Sequence, residues 1–216
     1  MAITKDDFIR ANNGDMRELF QEAIQSVMNL DIDEFANILT ELDQEQRYLV
    51  SICVGKDRNA LVHRFSSGAV PNSEDYMDVL VQAGCQECFS MPNGDRNLPL
   101  AIAISSNVAE VIPTIIANMK DTHVYLNGEG DTAFTLAINS NQMDLLPILM
   151  DNNMDPFMKS KSGKTPDMLI FEKHGEEEMR TWVAMTACVL ATAAPEVVLV
   201  DDTSTSKSEA LRRRSL

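Results

Sequence analysis

Basic residues are scarce in this 216-residue chain: 18 Lys and Arg stand against 33 Asp and Glu, a formal net charge of −15. Binding a phosphate backbone takes a surplus of cations, so nucleic acid is not an expected partner. Aromatics are scarce too, 6% of residues with one Trp and three Tyr. The core therefore has to be built from Leu, Ile, Val, Met and Ala, and thirteen Met suit soft, gap-filling contacts between helices. No uninterrupted apolar run reaches the roughly 18 residues of a membrane span, so no membrane partner is expected. The opening MAITKDDFIR carries acids where a secretory leader needs basic and then apolar residues.

Catalytic and metal-binding residue types are thin as well. His63, His123 and His174 are isolated from one another, and no Ser–His–Asp order can be singled out. SGKT at Ser162–Thr165 contains the end of a phosphate-loop pattern, but the upstream Gly and a preceding strand are missing. Cys53, Cys85, Cys88 and Cys188 are expected as free thiols in a reducing compartment, cytosol or nucleus. Cys85 and Cys88 form a lone C-x-x-C. One reading makes them a metal or redox pair, which would need two further ligands for zinc; the other makes them two small residues in a connector. The expectation is a non-enzyme with no metal and no cofactor.

What is present is a repeat. With 44% hydrophobic and 24% charged residues, the chain has the composition of one globular domain plus a tail. GDTAFTLAIN, from Gly130, is echoed by SGKTP at Ser162–Pro166, about 33 residues on. In the first, Thr132 is placed to cap a helix carrying Phe134, Leu136, Ala137 and Ile138. NSNQ turns the chain, and Met143, Leu146, Leu149 and Met150 follow at helical spacing. Asn153 is the expected left-handed residue at the exit. Upstream, LPLAIAISSNVAEVIPTIIANMKD repeats the design, with Pro99 at a helix start and Pro113 matching Pro147 about 34 residues on.

Further units read from Asn59–Phe65 and Tyr76–Phe89, with Gly84 in the slot of Asn153 and a longer turn, SSGAVPNSED, between them. His63 falls on a core position and is expected as a hydrogen-bonded structural histidine. Thr165, as the expected helix cap, and Pro166, at the first helical position, open the last unit, whose second helix is GEEEMRTWVAMTACVLATAA. Leu19–Asp43 reads as a degenerate first unit with helices meeting at Asn29–Asp31, and Gln44–Val54 as an apolar link.

These units resemble the ankyrin-repeat family, whose repeats open with a G-x-T-P-L-x-x-A turn and helix. The likeness is strongest in GDTAFTLAIN and GKTPDMLI and covers about five units over residues 16–194. The family's LH pair is absent, and Leu42, Met119 and Thr186 stand in the Gly slot at other helix exits. The resemblance implies an all-α solenoid of stacked helix–turn–helix units after a lead of residues 1–15, while the polar, charged composition of 195–216 reads as a flexible, disordered tail. It implies recognition of another protein through the concave face, as an adaptor or inhibitor. Repeats this divergent also suit an effector delivered into host cytosol, or a viral host-interaction protein. The rival readings are the Cys85/Cys88 metal or redox protein and a structural subunit that oligomerises through Trp182–Ala194.

Repeat register turns the connector tips outward at Met91–Asn97, His123–Asp131 and Met158–Lys164. The expected partner-binding residues are Asp95, Arg96, Tyr125, Glu129, Asp131, Lys161 and Lys164. Tyr125 reads either as an interface anchor or as packing on the neighbouring connector. Lys159, Lys161 and Lys164 read either as a basic patch for an acidic ligand or as solvated charges. In the tail, Val197, Val198, Leu199, Val200, Asp201 and Asp202 are similar to a SUMO-interacting motif, which would act by strand addition. RRRSL resembles a basophilic kinase site at Ser215.

Overall fold

Every regular element among the described residues is helical, and none of those residues lies in a strand. The structure is a computed structural model that describes residues 4–56 and 58–193, with the backbone alone for Phe8 and residues 188–193. The tail expectations, including Val197–Asp202 and Ser215, lie outside the described residues. The helices are α1 (Lys5–Ala11), α2 (Gly14–Met28), α3 (Ile32–Glu41), α4 (Gln44–Ile52), α5 (Leu61–Phe65) and α6 (Ser73–Gln82). Then come α7 (Pro99–Ser105), α8 (Ile112–Asn118), α9 (Ala133–Asn139), α10 (Leu146–Asp151), α11 (Pro166–His174) and α12 (Glu176–Ala193). Short 3-10 turns precede α8 and α10 at Ala109–Val111 and Met143–Leu145, and another, Gln86–Ser90, follows α6.

The helices pair as expected: α2 with α3, α5 with α6, α7 with α8, α9 with α10 and α11 with α12. Neighbouring pairs touch in two rows. One runs α5, α7, α9, α11; the other runs α3, α6, α8, α10. A single apolar core lies between the rows. Phe35 of α3, Phe65 of α5 and Tyr76 of α6 meet at ring-centroid distances of 5.4–5.8 Å and tie the first pair to the second. Phe134 of α9 meets Trp182 of α12 at 5.5 Å and ties the last pair to the one before it.

Local chemistry starts these helices. Pro99 and Pro166 stand at the first helical position, and Pro113 and Pro147 one residue further in, where a missing N–H costs nothing. Gly84 and Asn153 take the left-handed conformation at φ 79° and 59°, as their shared slot requires. His63 is buried: its Nδ1 accepts from the Ala60 N–H at 3.3 Å, and its Nε2–H donates to the Met91 carbonyl at 3.0 Å.

Within the lead, α1 forms on a capping box, with the Thr4 hydroxyl accepting from the Asp7 N–H and the Asp7 carboxylate from the Thr4 N–H, and Ala11 is fully buried. Three expectations need correction. The Gln44–Val54 link is α4, capped reciprocally by Asp43 and Gln46 and touching both α2 and α5. Thr186 marks no helix exit. It sits inside α12, and its hydroxyl donates to the Trp182 carbonyl at 3.0 Å. Thr165 holds the position before α11 but makes no capping bond, and its buried hydroxyl has no hydrogen-bond partner.

Thr132, by contrast, does cap: its hydroxyl accepts from the Thr135 N–H at 3.3 Å, and the Thr135 hydroxyl accepts from the Thr132 N–H at 2.8 Å. In urea denaturation, Thr132→Ala should lose about 1 kcal/mol. Thr165→Val, which removes only an unsatisfied hydroxyl, should leave the midpoint unchanged or slightly raised. Equal losses at the two positions would contradict this capping assignment.

Candidate functional site

The connectors between pairs end in tips built the same way four times. Arg58, Arg96, Gly130 and Gly163 each donate their N–H three residues back, to the carbonyls of Gly55, Asn93, Asn127 and Ser160. Each of the four is left-handed, at φ 65°, 65°, 85° and 83°. They lie about 33 to 38 residues apart, the period of the helix pairs. Asn at the start of two tips explains why the turn forms there. The Asn93 side-chain carbonyl accepts from the Asp95 and Asn97 N–H groups, both at 2.9 Å. That of Asn127 accepts from Glu129, Gly130 and Asp131, at 2.9–3.1 Å.

Successive tips are bonded to one another. The Gly94 N–H donates to the Arg58 carbonyl at 3.0 Å, Leu98 to Leu126 at 2.8 Å, and Lys161 to Gly130 at 2.8 Å. Asn93 Nδ2 donates to Asn59 Oδ1 at 2.8 Å. The tips thus form one continuous edge, and glycines permit the approach. A Cβ on Gly130 would fall 2.3 Å from the Lys161 Cβ, and one on Gly94 would collide with the Arg58 side chain.

This edge carries the seven expected partner-binding residues, but they are not equivalent. Asp95 is engaged by Arg58, Nη1 to Oδ1 at 3.0 Å, and Lys164 by Glu172 at 2.5 Å. Asp131 is only 8% exposed. Its carboxylate receives Asn127 Nδ2 at 2.9 Å and Asn139 Nδ2 at 3.0 Å, and its carbonyl receives the Leu126 N–H at 2.7 Å. Arg96, Glu129 and Lys161 are exposed side chains outside any ion pair formed among the described residues. Lys159 is exposed as well.

Tyr125 is 46% exposed, on the connector leading into the Asn127 tip. It does not share the open cavity of about 450 Å³ beside that tip, where Asp95, Glu129 and Asp131 meet Asn97, Asn139 and Lys173. Asn97, Asn139 and Lys173 were not anticipated from the sequence. Lys173 is held there by donating to the Asn139 carbonyl at 3.2 Å, across adjacent helix ends. The Arg58–Asp95 pair was also missed, although Arg58 occupies the same slot as Arg96.

The cysteines present a different chemistry. Cys53, Cys85 and Cys88 are buried free thiols. Burial pushes Cys53 and Cys85 up to about 11, and raises Cys88, whose thiol donates to the Cys85 carbonyl at 3.0 Å. A raised thiol is protonated at neutral pH, whereas metal ligation and nucleophilic attack use the thiolate. Among the described residues no three His, Cys, Asp or Glu side chains gather in a metal-binding group. No helix among them is long and apolar enough to cross a membrane. The sequence matches no family model, and no curated protein matches it.

The tips supply a direct test of their own construction. Gly130→Ala adds a Cβ both at positive φ and against Lys161, and should cost about 2 kcal/mol or more in urea denaturation. Gly163→Ala meets the same φ with nothing within 4 Å of the new Cβ, and should cost about 1 kcal/mol. Equal costs would mean that the tips do not approach as closely as described.

Proposed function

We propose that this chain is an ankyrin-like repeat module that recognises another protein along its tip edge, as an adaptor or inhibitor in cytosol or nucleus. The observation that carries the reading is the tip geometry: one turn, with its left-handed residue in one slot, recurs at the period of the helix pairs and is cross-bonded into a rigid edge. A preorganised edge loses little conformational freedom on binding, which leaves more of its contact energy as affinity. Of the expected residues on it, Arg96, Tyr125, Glu129 and Lys161 are exposed and outside any ion pair formed among the described residues. Two carry positive charge and one negative, so the surface suits a partner of mixed charge rather than a polyanion. An effector acting inside a host cell is one setting in which such a module would serve.

Two rival readings find less support. The Cys85/Cys88 pair is buried and its thiols are raised, which favours two small core residues over metal or redox chemistry. Oligomerisation through Trp182–Ala194 could not use the Trp182 indole, which is only 4% exposed and packs on Phe134.

The test compares proteins captured by the wild-type chain and by Tyr125→Ala, with Met28→Ser as control at the end of α2, where Met28 is 70% exposed. For the partner so identified, Tyr125→Ala should lose about 2 kcal/mol of binding or more, about 30-fold in Kd. Glu129→Ala and Lys161→Ala should lose less than about 1 kcal/mol and change the on-rate and its salt dependence. Melting temperature should hold in all of them. A partner retained by Tyr125→Ala and lost by Met28→Ser would move the interface off the tips.

A further inference from the structure

The helix pairs are standards for one another, and two departures from their common pattern meet at one place. The exits of α2, α6, α7, α9 and α10 are closed alike. Leu30, Gly84, Asn107, Asn141 and Asn153 each donate their N–H three residues back, the residue after each donates five back, and all five are left-handed at φ 57–79°. Gly and Asn suit that slot. Leu does not, because its Cβ crowds the backbone there. Burial does not offset the strain, since Leu30 is 58% exposed. The second departure is the turn between α5 and α6, residues 66–72, which is longer than the turns 106–108 and 140–142 of the following pairs. Pro71 and Asn72 of this turn join Leu30, Ile32, Asp75 and Tyr76 around a cleft of about 80 Å³ where α3 touches α6.

We propose that this cleft binds a basic segment of another protein, seating one aliphatic side chain against Leu30 while flanking Lys or Arg meet the rim. Asp31, Asp33 and Glu34 open α3, and Glu74 and Asp75 open α6. All five are exposed, and none joins an ion pair among the described residues. The sequence has no Lys or Arg between Arg17 and Arg47 or between Arg64 and Arg96, so neither stretch supplies a cation of its own. A cleft this small takes one side chain, and the surrounding charge selects the partner and fixes its register. The same charge repels an anionic membrane and a second copy of this chain, whose net charge is also −15. The surface is separate from the tips, which join one pair to the next, whereas these turns lie inside pairs.

A phage-displayed library of random linear peptides is panned against the full chain, and the selected peptides are sequenced. Aliphatic residues flanked by Lys or Arg should be enriched. One such peptide, synthesised with a fluorophore, is titrated by anisotropy into the wild type, Leu30→Asn, Asp33→Asn/Asp75→Asn and Tyr125→Ala. Leu30→Asn should weaken binding about tenfold or more. The Asp33/Asp75 variant should weaken it and reduce its salt dependence. Tyr125→Ala should bind as the wild type does. In urea, Leu30→Asn should hold or raise the midpoint, because Asn suits the left-handed slot. Selection without the basic enrichment overturns the proposal, as does equal affinity for Leu30→Asn. A lower urea midpoint for Leu30→Asn also overturns it, because the fold itself would then account for Leu30. A peptide lost by Tyr125→Ala and kept by Leu30→Asn would place basic ligands on the tip edge, against this proposal and not against the tip reading.

Discussion

Most helices in this chain are too short to exist alone. Between α3 and α11 none exceeds ten residues, whereas an isolated helix in water is marginal below about 12 to 15 residues. The apolar side of each pair must therefore be covered by the next pair, and every other feature depends on that lateral burial. It explains why α4 cannot be a loose link. α2 and α5 both need a neighbour in the same row, and α4 supplies one to each. It also explains the placement of the few aromatic side chains. Phe35 meets Phe65 and Tyr76, and Phe134 meets Trp182, where one pair meets another, so aromatic contacts join pairs.

The same burial sets the tips. Once the first helix of one pair lies against the first helix of the next, the connectors before them are brought side by side, and their backbone groups must bond to each other or to water. They bond to each other at Gly94–Arg58, Leu98–Leu126 and Lys161–Gly130. Charge is then divided between the edge and its support. Asp131 works inward, holding Asn127 and Asn139, while Arg96, Glu129 and Lys161 face solvent. The exposed pairs Arg58–Asp95 and Lys164–Glu172 add little to stability, about 0 to 1 kcal/mol each at such exposure. Their effect is to fix which charges are left uncommitted.

Much of this could be read in advance wherever a residue type has one conformational use. Pro at a helix start, Asn153 and Gly84 in a left-handed slot, and Thr132 before an apolar run each have a narrow set of roles, and each occupies its expected place. Reading failed where geometry beyond the local segment decides. Thr165 precedes its helix as Thr132 does, yet its hydroxyl makes no capping bond. Arg58 and Arg96 take positive φ, which nothing in their side chains favours, because the tip turn requires it and neighbouring tips hold them. Asp131 reads as one more acid in NGEGD, and only the fold shows that two amides converge on it. The α1 and α4 signals were present, as T-x-x-D at Thr4–Asp7 and D-x-x-Q at Asp43–Gln46.

The buried thiols bring a kinetic consequence. Cys53 follows the end of α4, while Cys85 and Cys88 lie at the exit from α6, so the interior holds reactive groups at two places along the stack. Protonated and shut away from solvent, these sulfurs meet an alkylating reagent only when the surrounding helices part. Each modification therefore counts one opening, in the way that amide exchange does. Comparing the rate at Cys53 with that at Cys85 would reveal whether the early pairs breathe separately or come apart as a single cooperative unit.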